Sequence, residues 1–196
     1  MVLAELMPHK RIDVAVRAFN ALGRPLVVVG DGPELRRLRR LAGPSVTFTG
    51  RVSDERVADL LARARALVVT ATEEFGIAAV EALTAGRPVI ALGEGGVRES
   101  VADEVTGTFF APCEPDALAD AVRGFDPLAI DLLDCRAAAE RFGAERFREQ
   151  LKRIVADAVR DERPQRPGAR ASHRGLAGVP SRRNGRSGTP RLHEPT

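Results

Sequence analysis

Short β-branched apolar runs alternate with amphipathic stretches between residues 10 and 162 of this chain. The runs have the length of buried strands, and the stretches between them place apolar residues three and four positions apart, as helices do. This alternation is typical of βα units around a parallel sheet, so the predicted class is α/β with flanking helices. The predicted strands cover residues 26–29, 46–49, 67–70 and 88–92, and residues 2–4 are expected to be the remnant of a truncated first strand.

The predicted helices lie between and after these strands. The first carries its apolar residues at helical spacing from Ile12 to Leu22 and ends at Gly23, a residue suited to a left-handed turn. Ser53 is predicted to cap the helix after residues 46–49. Further helices are predicted near residues 35–41, over 76–85, near 115–123 and 128–140, and along a final apolar face of Phe147, Leu151, Ile154, Val155 and Ala158.

Two carboxylates flank the start of the helix predicted at residue 76. Glu73 lies in the loop after a strand, and Glu81 lies on the helix itself. Gly76 opens that helix, whose free N–H groups and positive dipole end favour an anion such as a diphosphate. A carboxylate on either side could accept hydrogen bonds from sugar or ribose hydroxyls. On spacing alone, two solvated carboxylates on a helix flank would be the simpler interpretation.

Longer segments decide between these interpretations. The stretch 70–82 resembles the Glu-x7-Glu motif of glycosyltransferase family 4, and the run 73–101, with AGRPVIA at 85–91 and GGVRESV at 95–101, looks like the donor-binding domain of that family. VGDGPE at 29–34 and FTGRVS at 48–53 are similar to two further family segments, in the same order. The resemblance covers about residues 3–160. It implies the C-terminal, Rossmann-like half of a GT-B fold, in which a nucleotide sugar lies between two such domains.

The resemblance also implies roles for individual residues. Lys10 matches a lysine that neutralises the donor diphosphate and stabilises the leaving group, and Glu73 matches a carboxylate that faces the donor sugar, so these two are the expected catalytic residues. Without the motif, Lys10 would be interpreted as a solvated lysine at a helix start. The expected substrate-binding residues are Glu81 for the ribose hydroxyls, Gly76 and Ile77 for the diphosphate, Val52 for the nucleobase, and Gly95 and Gly96 of the glycine-rich segment.

Two positions depart from the family pattern. Glu5 stands where the family usually has an arginine that acts with the lysine on the diphosphate. A unit-charge pair at about 4 Å is worth roughly 4 kcal/mol at an effective dielectric constant near 20, so this reversal of charge is expected to weaken donor binding. Glu74 replaces a more usual small residue, as in some relatives that use mannose donors.

Composition excludes several other classes of protein. With 44% hydrophobic residues, no apolar run long enough to cross a bilayer and no signal-peptide pattern, the chain is expected in the cytoplasm, with a peripheral place at the membrane as an alternative. Cys113 and Cys135 are too few for a zinc site or a disulfide framework, and neither a metal nor a cofactor is expected. The histidines have no Ser or Cys partner at triad spacing. Residues 30–32 lack the third glycine of a dinucleotide fingerprint.

Charge divides the chain into two parts. Residues 1–162 hold 22 Lys and Arg against 26 Asp and Glu, a balance of −4, whereas residues 163–196 hold 8 Arg and one Glu, a balance of +7. The second part is also rich in Pro and Gly, so it is predicted to be a disordered tail after a nucleotide-sugar-binding domain at 1–162. The tail is either an uninformative extension or an arm for anionic partners. The acidic balance of residues 1–162 argues against nucleic-acid binding as the main function.

The sequence thus favours the donor-binding half of a retaining glycosyltransferase that transfers a hexose, with mannose as the candidate sugar. The N-terminal half is expected to be missing from this chain, with a separate chain as one source of the acceptor-binding domain. The alternative is a nucleotide-binding remnant that is not catalytic without that domain.

Overall fold

The structure is a computed structural model that describes residues 1–161. The predicted tail, 163–196, lies outside the described residues. Met1–Val155 form one compact unit, and the second unit begins at Ala156 and is described only to the end of the last helix. The strands are β1 (Val2–Leu3), β2 (Leu26–Val29), β3 (Val46–Gly50), β4 (Leu67–Val69), β5 (Val89–Leu92) and β6 (Gly107–Phe110). The helices are α1 (Ile12–Leu22), α2 (Leu35–Leu41), α3 (Asp54–Arg63), α4 (Ile77–Thr84), α5 (Val97–Ser100), α6 (Pro115–Gly124), α7 (Leu132–Glu140) and α8 (Ala144–Asp161).

The strands form two three-stranded parallel sheets, β1-β2-β3 and β4-β5-β6. The sheets meet where β1 lies beside β4: the Val68 N–H donates to the Met1 carbonyl at 2.7 Å, and the Met1 amine donates to the Ala66 carbonyl at 2.7 Å. The spatial order is therefore β3-β2-β1-β4-β5-β6, which is the Rossmann order. It confirms the predicted α/β class. The order reverses between β1 and β4, and open α/β sheets bind their ligands beyond the carboxyl ends of the strands at such a point.

Helices cover both faces of the strands, and side chains alternate between the two faces. Val68 of β4 and Ile90 of β5 pack into the core beneath α1, α2 and α6. Their strand neighbours Leu67 and Val89 pack into the opposite core with α4 and α7. Strand positions that are apolar on both sides explain why the runs read as continuous in the sequence.

The sequence did not predict β6 or α5, and the predicted start of α7, residue 128, is too early. β6 opens with Gly107, a residue that weakens a strand pattern, but here a Cβ would overlap the Val89 carbonyl oxygen of the neighbouring strand. α7 begins at Leu132 rather than at residue 128 because the Asp131 carboxylate accepts from the Leu133 N–H at 2.8 Å and caps the helix. α8 forms as predicted, although Phe147 and Leu151 of its apolar face are exposed.

The cap of α3 gives a test of local stability. The Ser53 hydroxyl accepts a hydrogen bond from the Arg56 N–H at 3.4 Å, as the sequence predicted for this position. We expect Ser53→Ala to lower the free energy of unfolding by about 1 kcal/mol, because an N–H of the first turn loses its acceptor. Urea denaturation measures the change. Ser53→Asp keeps a capping oxygen and serves as the control, and equal losses in both variants would contradict a capping role.

Candidate nucleotide-sugar site

Two neighbouring cavities open at the carboxyl ends of the strands. The first, of about 570 Å³, lies beyond β1 and β4 and is lined by Lys10, Glu73 and Gly76. The second, of about 660 Å³, lies beyond β2 and β3 and is lined by Val52 and Glu81. Leu3, Ala4, Glu5, Ile77 and Ala78 line both cavities. Together they form one crevice at the place where the strand order reverses.

A bidentate ion pair lies in the wall of the first cavity. The Lys10 ammonium donates to both carboxylate oxygens of Glu73, at 2.9 and 2.8 Å, across 63 residues of sequence. Both side chains are about one-fifth exposed, at 23% and 22%. The two residues expected to be catalytic are therefore in direct contact, with each charge neutralised by the other.

Thr70 fixes the backbone beneath Lys10. Its side chain is buried at the end of β4, and its hydroxyl donates to the Lys10 carbonyl at 2.8 Å. The Cys113 thiol donates in turn to the Thr70 carbonyl at 3.3 Å, and burial raises the pKa of that thiol. No motif in the sequence marks Thr70 as a site residue. Its position directly after a buried strand was the available signal.

Gly95 and Gly96 hold the loop that carries Glu73. Gly95 forms a parallel bridge with Glu73, and the Gly96 N–H donates to the Glu73 carbonyl at 2.7 Å. A Cβ at Gly96 would overlap the Glu74 carbonyl oxygen. These contacts give both glycines a role in positioning the loop, in addition to the substrate contact expected from the sequence.

The start of α4 offers backbone donors to the crevice. Gly76 is the N-cap, with a left-handed φ of 81°. Ala79 is the first residue of α4 whose N–H reaches a carbonyl, that of Gly76 at 2.9 Å, so within residues 1–161 the N–H groups of Ile77 and Ala78 lack a partner. Such groups at a helix N-terminus bind anions. The Ile77 side chain is exposed, and only its backbone can serve in this way.

The second cavity combines carboxylates with an apolar wall. Val52 follows β3, and Glu81 reaches the cavity from α4. Burial, followed by the nearby charge of Asp54, raises the pKa of Glu81 above its ordinary value. A carboxylate accepts hydrogen bonds from hydroxyl groups such as those of a ribose.

Acidic groups outnumber basic ones along the crevice. Glu5 is exposed and faces both cavities, so the charge reversal noted in the sequence lies in the site itself. The first cavity is lined by Glu5, Glu73 and Glu74 against Lys10 and His9, and the second by Glu5, Asp31, Asp54 and Glu81 against Arg51. Within residues 1–161, no cluster of three or more His, Cys, Asp and Glu side chains has the arrangement of a metal site.

A third cavity, of about 460 Å³, opens near the amino ends of the strands. Its wall is largely apolar, with Phe19, Val27 and Phe125 among its residues. It contains none of the residues expected at the site.

Within the part of the chain that the structure describes, no helix combines the length and the apolarity needed to span a bilayer.

Residues 1–145 match the sequence model of the family described as "Glycosyl transferases group 1". The chain belongs to this glycosyltransferase family. The match covers every residue that lines the two cavities of the crevice, from Val2 to Glu81. The members of this family are glycosyltransferases, and the crevice lies where open α/β sheets bind their ligands.

Two curated glycosyltransferases illustrate the similarity. The chain is 37% identical over 139 residues to the GDP-mannose-dependent alpha-(1-6)-phosphatidylinositol monomannoside mannosyltransferase of Mycobacterium tuberculosis, covering 61% of this chain and 36% of that protein. It is 32% identical over 186 residues to the D-inositol 3-phosphate glycosyltransferase of Mycolicibacterium paratuberculosis, covering 86% and 42%. The chain thus spans less than half the length of these relatives.

Solved structures show the same GT-B glycosyltransferase architecture. HepE of Anabaena, in complex with UDP, superposes with a TM-score of 0.68 at 26% identity, covering 80% of this chain and 48% of that one. Sucrose-phosphate synthase of Thermosynechococcus elongatus gives 0.71 at 28% identity, covering 82% and 46%. The described α/β domain is therefore similar to about half of a GT-B glycosyltransferase.

Proposed function

We propose that this chain is the donor-binding half of a retaining family 4 glycosyltransferase, which transfers a hexose from a nucleotide diphosphate sugar. The contact between Lys10 and Glu73, beside the open N–H groups of α4, carries the proposal. A cation and a helix N-terminus suit a diphosphate, and a carboxylate next to them suits sugar hydroxyls. One ligand that carries both groups is a nucleotide sugar.

The proposed roles follow from where the groups lie. Lys10 and the N–H groups of Ile77 and Ala78 stabilise the negative charge that develops on the diphosphate as the bond to the sugar breaks. Glu73 accepts hydrogen bonds from the sugar and orients it. Glu81 accepts from the ribose, and Val52 packs against the base. In this proposal the acceptor binds to a domain that corresponds to the part of the relatives outside the matched region. That domain is supplied by the same chain or by another one.

Mannose is the sugar we propose, on the likeness to a relative whose name specifies GDP-mannose. The name of that relative also specifies a phosphatidylinositol monomannoside, which is a lipid. On this likeness we propose that the chain acts in the cytoplasm at the periphery of the membrane.

A second function is a nucleotide-binding module without catalysis. The acidic lining of the crevice, with Glu5 near the proposed diphosphate position, favours it. Sugar transfer, measured with the upstream half of a related enzyme supplied in trans, distinguishes the two. Turnover that depends on Lys10 supports the enzyme, and tight donor binding without turnover supports the module.

Titration calorimetry with GDP, UDP and their sugars tests donor binding directly. We expect weak binding, with a Kd of about 0.1 to 1 mM, because part of the ligand stays open to solvent. Glu81→Ala should weaken it about fivefold or more by removing an acceptor for the ribose hydroxyls. Glu140→Ala, an exposed change on α7, is the matched control. If Glu81→Ala binds as tightly as its control, the ribose assignment is wrong.

A further inference from the structure

Within the described residues, four exposed arginines on α1 and α2 have no carboxylate partner. They are Arg17 of α1 and Arg36, Arg39 and Arg40 of α2. Among residues 1–161, none of the ion pairs includes any of these four, whereas the adjacent Arg37 is paired with Glu34 at 2.6 Å. We call these four arginines the basic face.

The packing of α2 explains why its arginines point outward together. Leu38 is buried in the core, and Leu35 and Leu41 pack against the same core. The leucines therefore use the inner side of this seven-residue helix and leave the arginines on the outer side. Arginines three and four positions apart on a helix repel one another, so the cluster destabilises α2 rather than stabilising it.

Arg17 joins this cluster because α1 lies alongside α2. Asp13, four residues before Arg17, approaches Arg37 at 3.9 Å, and Asn20, three residues after it, donates to the Leu41 carbonyl at 2.9 Å. Residues 13, 17 and 20 share one side of a helix, so Arg17 lies on the side of α1 next to α2. The basic face is thus a continuous surface of two helices.

The character of this surface indicates a broad anionic partner. None of the three cavities described above is lined by any of the four arginines, and all four side chains are exposed. None of the exposed large apolar side chains of the described residues belongs to α1 or α2, so no aromatic ring is offered for stacking on nucleic-acid bases. The surface is also basic within a region, 1–162, whose overall balance is −4. Its positive charge is therefore local.

We propose that the basic face binds the surface of a membrane that contains anionic phospholipids. The proposal gives a location to the peripheral membrane association proposed above and rests on that part of the proposed function. Each arginine near an anionic bilayer strengthens binding about fivefold, and added salt weakens it. Binding of this kind is independent of the nucleotide crevice, whose lining does not include these residues.

Cosedimentation of the full chain with vesicles tests the proposal. The vesicles contain phosphatidylcholine with phosphatidylglycerol, and pure phosphatidylcholine vesicles are the neutral reference. We expect the triple variant R36Q/R39Q/R40Q to bind the anionic vesicles about 100-fold more weakly than the unchanged chain. Glutamine keeps a good helix propensity, and the triple lysine variant of the same residues should retain most of the binding because the attraction is one of charge.

A matched control separates the basic face from net charge. R56Q/R63Q/R123Q removes the same three charges from α3 and α6, where each arginine has an aspartate partner. All variants carry the same Arg-rich residues 163–196, so the contribution of that segment is common to them. We expect the control to bind anionic vesicles nearly as well as the unchanged chain.

Several results would overturn the proposal. Equal losses of vesicle binding in the two triple variants would do so, and so would the absence of any preference of the unchanged chain for anionic vesicles. If R36Q/R39Q/R40Q lost binding to duplex RNA or DNA but kept vesicle binding, the basic face would be assigned to nucleic acid. Calorimetry with GDP on the same variants keeps the donor proposal separate. Retained vesicle binding without nucleotide binding would reject donor binding alone, and the reverse result would reject the membrane surface alone.

Discussion

Exchange of Glu5 for arginine is expected to tighten the binding of GDP or UDP by about ten- to a hundredfold. Glu5 faces both cavities of the crevice, and its carboxylate repels a diphosphate held by Lys10 and the start of α4. An arginine there would replace this repulsion by attraction and could donate two parallel hydrogen bonds. The gain stays well below the roughly 4 kcal/mol of an ideal pair because residue 5 is exposed and solvent screens its charge.

Calorimetry at two salt concentrations measures this effect. The control is Glu140→Arg, which makes the same change of net charge on α7, away from the crevice. We expect the control to leave the Kd unchanged within a factor of about two, since charges separated by more than a Debye length are screened. Equal tightening in both variants would show that net charge, rather than the position of residue 5, governs affinity.

Gly96→Ala is expected to abolish measurable nucleotide binding and to lower the free energy of unfolding by about 1 to 3 kcal/mol. The added methyl group would overlap the Glu74 carbonyl oxygen, and the overlap involves backbone on both sides. The loop can relieve it only by moving away from Gly96, which breaks the 2.7 Å hydrogen bond from the Gly96 N–H to the Glu73 carbonyl. Glu73 would then lose its place beside Lys10.

Urea denaturation and calorimetry on the same variant separate the two effects. Gly124→Ala is the control, because a Cβ at this last residue of α6 meets no atom within 4 Å. It should bind nucleotide normally and should be as stable as the unchanged chain or slightly more stable. Normal binding by Gly96→Ala would mean that the Glu73 loop tolerates displacement and that the glycine does not position it.

The sequence predicted best the elements whose signal is local. β4 and α4 were placed to within one or two residues, because a buried apolar run, a polar loop and Gly76 follow one another directly. β6 was missed because it begins with Gly107. A glycine is required there because any Cβ would overlap the Val89 carbonyl oxygen of the neighbouring strand. A requirement set by another strand leaves no periodic pattern in the segment itself.

The sequence likewise predicted some features of the candidate site and missed others. That Lys10 and Glu73 face one crevice followed from their places in a recognised order of segments. Their direct pairing did not, because it depends on side-chain positions set in part by the hydrogen bond from the buried Thr70 hydroxyl to the Lys10 carbonyl. A lone threonine at the end of a strand carries no sequence pattern that marks such a role.

If the proposed function holds, the pairing of Lys10 with Glu73 has a consequence for turnover. In the proposed roles Lys10 serves the diphosphate and Glu73 serves the sugar, so an intact donor satisfies both groups when they separate. Once the sugar has left, Glu73 has no hydroxyl partner and competes with the spent nucleoside diphosphate for the ammonium group, from the 2.8 to 2.9 Å contact that the fold already favours. The same two side chains that hold a donor would thereby hasten the departure of the by-product and limit product inhibition.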